Sequence, residues 1–447
     1  MNADFLAALM LRSGYNATVV ALGCAAFGLA AGAIGCFVLL RGRALVSDAA
    51  AHATLPGVAG AFIIAATFGL DARSLPLLLL GAGVTAALGV VCIAALNRGG
   101  RLRDDASMAL VLSIGYGIGV VLFSVVQSLP VGGQAGLKGF ILGHAAGMSA
   151  ADATLIAGLA LACLLVLTLL FRPLTALCFD QNFAAAAGLP VRLLDGVLLA
   201  LMLAIAVSGL RAVGLILVVG LMVIPAVTAR LVSDRLEVMV PLAAGLGAVS
   251  AWVGTAISAA SPQLPTGATI VLTACTLFLL ALIFSPRRGA IAFAWRQGSL
   301  SLVIARDHAL RAMVEGAERG AAPRDWPGLA EEAGWSRLQR LVLPVWFRQE
   351  GWVTPGALVL SPAGIALAEA VTRRHRVWEH YMQAAGGLPP QAAHRAADEV
   401  EHALPADVAR DAEAWLRRHD PQRLPEHAAL PPPGEHAPRD QAPGGAR

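Results

Sequence analysis

The sequence contains a single lysine, Lys138, among its 447 residues. The phosphate-binding loop G-x-x-x-x-G-K-[ST] requires a lysine directly after a glycine. Lys138 follows Leu137, so this nucleotide-binding motif is absent from the chain. If ATP drives the activity of this protein, another chain must bind the nucleotide.

Acidic and other charged residues are also scarce in the first part of the chain. Glutamate is absent before Glu237, and 14% of all residues are charged whereas 57% are hydrophobic. With a mean hydropathy of +0.69, this composition is typical of a membrane protein. Beyond Arg288, however, Glu and Arg are frequent, and eight of the ten histidines follow residue 300. We therefore expect a membrane domain over 1–286 and a soluble part after it.

The cysteine pattern excludes two kinds of small domain. The six cysteines are scattered and form no C-x-x-C pair, so neither a zinc knuckle nor a disulfide framework is indicated. The N-terminus lacks a basic segment followed by a cleavage site, and we therefore predict no removable signal peptide.

Apolar runs recur through the membrane domain, and about 20 such residues suffice to cross a bilayer. We predict eight or nine transmembrane helices, because 192–232 is nearly continuous and is interrupted only around Arg211. Arginines fall in alternate loops, which the positive-inside rule places in the cytoplasm together with the C-terminal part. The predicted spans are 18–40, 54–70, 75–96, 107–127, 152–171, 192–209, 212–232, 238–260 and 265–285.

The stretch 40–57 joins two apolar runs and contains Asp48 and His52. In a helix, their spacing of four residues places both side chains on one face. Ionisable groups inside a membrane are costly unless they pair or serve an ion path. Together they offer one oxygen and one nitrogen ligand, which suits Mn, Fe or Zn. An Asp–His hydrogen bond that merely joins two helices is the alternative, and the spacing does not decide between the two.

The loop 172–191 has a helical segment of its own. Asp180 is a suitable N-cap for a short helix over 181–187, and Gly188 ends it before Pro190. Such a helix could dock onto a partner, although the residues alone favour a plain connector. The external loop 128–151 carries His144, which we expect to be solvated.

The soluble part begins with a basic linker over 287–300. Helices are then predicted at 302–318, 326–334 and 336–349, followed by a two-stranded wing and a helix over 361–385. This order is a winged-helix pattern, within 301–370. The third helix carries only three arginines, which is few for a DNA-recognition helix. We therefore expect this region to serve protein contact or dimerisation, and nucleic acid is not expected as a partner.

A helical region over 371–418 carries histidines and carboxylates at helical spacing. One predicted helix holds His375 and Glu379, and a second holds four more such residues on one face. Two faces of this kind can enclose a divalent ion, although an ordinary charged helix surface is the alternative. The tail 419–447 is rich in proline and is predicted to be disordered. The four residues of the second helix are His394, Asp398, Glu401 and His402.

Three stretches resemble the permease subunits of manganese/zinc/iron-type ABC importers, over about residues 15–286. They are 40–57, 179–188 and 210–230. Each stretch alone is a weak signal, but their order and spacing together are specific for this family. The resemblance implies that Asp48 and His52 contact the metal in transit, and that 179–190 is the coupling helix on the ATPase. It further implies a second permease chain, a separate ABC ATPase and an extracytoplasmic metal-binding protein.

The region over about 300–418 resembles the metal-dependent repressors of the diphtheria-toxin-repressor type. The resemblance implies two metal sites. By position, the first would comprise His375, Glu379 and His394, and the second would comprise the residues named at the end of this paragraph. Asp398 of the second site stands where some relatives have a cysteine. Its hard carboxylate oxygen favours Mn²⁺ or Fe²⁺ as a regulatory ion. The residues of the second site are Asp398, Glu401 and His402.

These features predict an all-α polytopic membrane bundle joined to a small cytosolic α+β winged-helix and helical metal-binding-like domain. The predicted function is the permease subunit of an ABC importer in the bacterial cytoplasmic membrane. Its substrate is a divalent transition metal, with Mn²⁺ favoured over Zn²⁺ or Fe²⁺, and the cytosolic domain senses metal. The alternatives are a membrane-tethered metal-responsive transcription regulator and a carrier that acts without an ATPase.

Overall fold

The computed structural model divides the chain into two compact units, residues 1–293 and 294–447. It describes residues 2–10, 12, 14–71, 74–97, 102–128, 148–212, 214–261, 264–320, 325–354, 358–402, 404 and 406–424. His144, the turn of the predicted wing at 355–357 and the tail beyond 424 lie outside the described residues.

The first unit is helical throughout its described residues. Most of its long helices follow the predicted spans, because each apolar run is bounded by Arg, Gly or Pro. The helix Ala44–Thr67, however, begins ten residues before the predicted span 54–70 and therefore includes Asp48 and His52. The helices are α1 (Asn2–Leu9), α2 (Tyr15–Leu40), α3 (Ala44–Thr67), α4 (Leu75–Asn97), α5 (Asp104–Ser128), α6 (Ala150–Leu169), α7 (Phe171–Phe179), α8 (Gln181–Ala186), α9 (Val191–Ala212), α10 (Leu215–Val232), α11 (Leu236–Ala260) and α12 (Thr266–Phe284).

Eight described helices are long and apolar enough to cross a membrane, and α10 adds a shorter apolar stretch, Val218–Val232. The prediction of a polytopic bundle of eight or nine transmembrane helices is therefore confirmed. The stretch 192–232, which left the count at eight or nine, contains two helices, α9 and α10, and α10 has only the shorter apolar stretch.

Helices α2 and α3 lie at the centre of the unit. Helix α2 packs mainly on α11 and also on α6, α9 and α10, whereas α3 packs on α4 and α5. Small residues allow these close approaches. A Cβ atom added to Gly28 of α2 would lie 2.3 Å from the Gly247 carbonyl oxygen of α11. The central position of α3 places its polar residues inside the bundle.

The second unit contains two helical layers, each with its own apolar core. The first core includes Leu310, Leu329 and Phe347, and the second includes Trp378 and Leu416. The helices of this region are α13 (Ala290–Glu318), α14 (Trp326–Glu332), α15 (Arg337–Gln349), α16 (Pro362–Ala384), α17 (Pro390–Val400) and α18 (Ala406–His419).

The predicted two-stranded wing is reduced to one isolated antiparallel bridge between Val353 and Leu360. The Thr354 N–H donates to the Val359 carbonyl over 2.9 Å, but the described residues form no strand. A two-stranded hairpin on its own is marginally stable, which agrees with pairing limited to this bridge. The β part of the predicted α+β domain is therefore not seen, and the described residues of this unit are helical apart from turns and this bridge.

The predicted linker over 287–300 is helical from Ala290 onward. It forms the start of α13, which continues without a break to Glu318. The boundary between the two compact units falls within this helix, between Phe293 and Ala294.

Candidate metal sites and coupling segment

Asp48 and His52 lie one turn apart on α3, as their spacing predicted. The His52 Nε2 atom is 3.5 Å from Asp48 Oδ1, and the side chains are 17% and 37% exposed, respectively. The His52 Nδ1 atom is buried and has no hydrogen-bond partner among the described residues. The ring of Tyr116 from α5 lies edge-on to the imidazole, with the centroids 5.6 Å apart.

This pair has the chemistry of an incomplete metal site. An unpaired buried ring nitrogen is costly unless another group binds it. Pro56 lies one turn after His52 within α3. Because proline has no N–H, it cannot make the helical hydrogen bond to the His52 carbonyl. Two side chains do not fill the four or more positions of a transition-metal ion, so further ligands must come from elsewhere.

The segment 171–188 forms two short helices, as predicted for its second half. The Asp180 carboxylate accepts hydrogen bonds from the Asn182 and Phe183 N–H groups, over 2.8 and 3.0 Å. Gly188 ends the segment with a φ of +79°. The side chains of Phe179 and Phe183 are largely exposed, whereas Leu177 is buried. The segment thus presents two aromatic side chains while α7 anchors it to the bundle.

In the second unit, six candidate ligand residues form two adjacent groups of three, and Glu379 lies beside the first group. The first group is His375, His394 and Asp398, whose ligand atoms lie within 4.8 Å of one another. His375 Nε2 is 3.1 Å from His394 Nδ1. The Glu379 carboxylate approaches the same nitrogen of His394 to 3.6 Å. All four residues are therefore positioned to surround one ion.

The second group is His308, Glu401 and His402, again within 4.8 Å. The Glu401 Oε1 atom is 3.1 Å from His402 Nε2 and 3.9 Å from His308 Nε2. All three atoms are buried and have no hydrogen-bond partner among the described residues. Three unpaired donor atoms that converge on one point fit a divalent cation.

The pKa shifts of Glu401 and His308 in this second group also suit a metal. Burial alone would raise the pKa of Glu401, but the hydrogen bond with His375 and the nearby His402 imidazole more than offset it and lower that pKa. Burial lowers the pKa of His308, and the nearby charge of Arg311 lowers it further. An ionised carboxylate beside a neutral imidazole is the state in which both residues bind metal.

The structure groups these residues differently from the sequence-based sets. Asp398 lies with His375 and His394, because it is one turn from His394 on α17. Its place beside Glu401 and His402 is taken by His308 of α13, a residue that the sequence analysis missed. No local spacing identifies His308, since its contact with α17 depends on tertiary packing. Glu401 and His402 lie just past the end of α17, although Glu401 keeps helical dihedral angles.

A guanidinium group lies between the two groups of ligands. Arg311 Nη1 is 2.7 Å from Asp398 Oδ1 and 2.6 Å from His375 Nδ1. The same atom is 3.5 Å from Glu401 Oε1. Its positive charge offsets part of the carboxylate charge of both groups.

Eight described helices that are long and apolar enough to cross a membrane define a polytopic membrane protein. Residues 15–285 match the family described as the ABC 3 transport family, and the chain belongs to that family. Residues 361–426 match a second family, the iron dependent repressor, metal binding and dimerisation domain. The resemblances predicted for the two parts of the chain are thereby confirmed.

Several relatives have been assigned transport roles. The chain is 38% identical over 304 residues to the manganese transport system membrane protein MntC of Bacillus subtilis (68% of this chain, 69% of the relative). It is 36% identical over 297 residues to the zinc transport system membrane protein TroC of Treponema pallidum (66% and 98%). It is similar to the structure of PsaBC from Streptococcus pneumoniae in complex with Fab, with a TM-score of 0.56, 29% identity and coverage of 64% and 98%.

Proposed function

We propose that this chain is the permease subunit of an ABC importer for a divalent transition metal, Mn²⁺ before Zn²⁺ or Fe²⁺. The observation that carries the proposal is the Asp48–His52 pair, with an unpaired buried Nδ1, on a central helix of a transport-family bundle. Oxygen and nitrogen ligands suit these ions. The manganese and zinc systems to which its relatives belong support this substrate class.

The ion in transit needs ligands beyond those of one chain. Asp48 and His52 offer two side-chain donors, and a symmetric second copy would offer two more, about the four that Zn²⁺ takes, whereas Mn²⁺ would add water or other oxygen ligands. A heterologous permease with a similar pair would serve equally. We therefore infer that the pore forms between two permease chains in the bacterial cytoplasmic membrane, supplied outside by a metal-binding protein.

Energy would come from a separate ABC ATPase that docks on α8. The sequence given has no lysine-containing phosphate loop, which agrees with ATP binding by another chain. The exposed Phe179 and Phe183 rings supply the apolar anchors that protein interfaces favour. This surface belongs to the side of the bundle that we place in the cytoplasm, with the C-terminal unit.

Disruption of the turn after α8 is expected to weaken binding of the ATPase and so to uncouple ATP hydrolysis from transport. Proline at position 188 cannot adopt the observed φ of +79°, because its ring fixes φ near −65°. In Gly188→Pro, co-purification of the ATPase should fall at least about tenfold, as for loss of a strong interface anchor. Gly196→Ala is the matched control, since an added Cβ there meets no atom within 4 Å. Normal ATPase capture by Gly188→Pro would make the segment a plain connector.

The C-terminal unit would sense the imported ion and lower transport when it binds. Its two groups of ligands, with Mn²⁺ or Fe²⁺ as regulatory ion, support this role. A role in reading DNA is less well supported, because α15, in the place of a recognition helix, exposes the apolar Leu338, Leu341 and Val345. Footprinting with this unit would distinguish a membrane-tethered transcription regulator.

The test of the proposed function is metal uptake in cells that lack other importers. The full chain is expressed with and without its ATPase, and uptake of Mn²⁺, Zn²⁺ and Fe²⁺ is measured for each. We expect uptake only with the ATPase, fastest for Mn²⁺. Equal uptake without the ATPase would identify a carrier that acts alone, and no uptake of any of these metals would refute the proposal.

A further inference from the structure

The turn that joins α2 to α3 consists of three residues, Arg41, Gly42 and Arg43. Gly42 has a φ of +66°, and the Arg43 N–H donates to the Val38 carbonyl over 2.9 Å. This short turn fixes the start of α3, whose second turn carries Asp48. Any displacement of the turn must therefore displace the first part of α3 as well.

The Arg41 guanidinium connects this turn to three other helices. It donates to the Leu177 carbonyl of α7 and to the Gln181 side chain of α8, each over 3.4 Å. It also donates to Asp195 of α9 over 3.2 Å. The Arg41 and Asp195 side chains are only 15% and 21% exposed, so solvent screens this ion pair less than a surface pair.

Arg43 provides a useful contrast in the same turn. It donates to the second oxygen of Asp195 over 2.6 Å. Within the described part of the chain, the Arg43 side chain bonds to Asp195 of α9, whereas Arg41 bonds to α7 and α8 as well. The two arginines thus share one carboxylate, but Arg41 also reaches the segment on which we place the ATPase.

We propose that Arg41 is a positioning residue that transmits displacement of α8 to α3 and so to the Asp48–His52 pair. This inference rests on the proposed docking of an ATPase on α8. Helices move largely as rigid bodies, so a movement passes between them through the side chains that join them. The planar guanidinium holds several acceptors in fixed directions at once, which a lysine ammonium does not.

The experiment uses the full chain with its ATPase in proteoliposomes, and measures metal transported per ATP hydrolysed. In Arg41→Gln, the ATPase should still co-purify and hydrolyse ATP. The transport ratio should nevertheless fall about tenfold, a typical size for coupling between two sites. Arg43→Gln should change the ratio much less, because the contacts of Arg41 with α7 and α8 remain.

A second control tests whether the loss of a different ion pair of the permease also lowers the amount of metal transported per ATP. Asp234 pairs with Arg288 over 2.7 Å, and this contact involves neither α7 nor α8. Asp234→Asn should therefore keep the wild-type ratio. Arg41→Lys guards against misfolding in Arg41→Gln, since it retains the charge opposite Asp195 and should give an intermediate ratio.

Three outcomes would overturn the proposal: a wild-type ratio in Arg41→Gln, an equal loss in Arg43→Gln, or loss of ATPase binding in Arg41→Gln. The last result would make Arg41 part of the docking site rather than of the transmission. A failure of the docking proposal is distinguished by a different experiment, in which the ATPase still co-purifies with Gly188→Pro.

Discussion

Replacement of Asp48 or His52 by alanine is expected to abolish metal uptake while the protein still assembles. Each residue supplies one of the two donors on α3, 3.5 Å apart. Because loss of even an outer-shell partner of a metal costs about 10–100-fold, we expect uptake to fall at least about 100-fold. Uptake is measured at equal amounts of membrane-inserted protein, with ATPase co-purification as the check on assembly.

The control for these variants is another polar residue of the same helix. The Thr54 hydroxyl is buried and donates only to the Ala51 carbonyl within α3. Thr54→Val removes that hydroxyl but keeps the shape, so it should retain wild-type uptake. Uptake at the wild-type rate in either Asp48→Ala or His52→Ala would remove the pair from the transport path.

The second large effect concerns feedback by the imported metal. His375→Ala and Glu401→Gln should each abolish inhibition of transport by metal on the cytoplasmic side, without lowering transport at low metal. His375 is the residue that joins the two groups, since its Nε2 atom lies 3.1 Å from His394 Nδ1 and its Nδ1 atom lies 3.1 Å from Glu401 Oε2. Glu401→Gln removes the charge that a divalent ion requires, with almost no change in volume.

The expected size of this effect follows from population shift. A metal that changes most of the protein from active to inhibited must bind the inhibited state about 10⁴-fold more tightly. Several convergent ligands can supply that difference, and loss of a central one removes most of it. Transport by the full chain is measured against metal concentration, with direct metal binding in parallel.

His419→Ala serves as the control for the feedback variants. His419 stacks on Trp415, with centroids 4.5 Å apart, and belongs to neither group of ligands. Unchanged metal inhibition in His375→Ala and Glu401→Gln would leave the C-terminal unit without a regulatory role in transport. Metal binding that persists in both variants would place the ion elsewhere in the chain.

Features that depend on local spacing could be predicted from the sequence. The spans follow from apolar length, the Asp48–His52 pair from the helical repeat, and the caps at Asp180 and Gly188 from the preferences of those residue types. For the pair and the caps, the interacting groups lie within one turn of a helix, where the backbone fixes the geometry.

Features that depend on tertiary packing could not be predicted in this way. His308 joins Glu401 only because α13 packs beside the end of α17, and no periodicity relates these segments. The position of Arg311 between the two groups has the same origin. The predicted wing shows the opposite case, because its β-type pattern yields one isolated bridge and no strand among the described residues.

Helix α13 has a practical consequence for the dissection of this chain. The boundary between the compact units lies inside it, so a cut at 293 or 300 would leave a frayed helical end. The non-helical residues 285–289 are a better place to separate the units. An inserted residue in α13 would rotate all later residues of the helix by about 100°. Chimeras that exchange the C-terminal unit should therefore preserve the helical phase of α13.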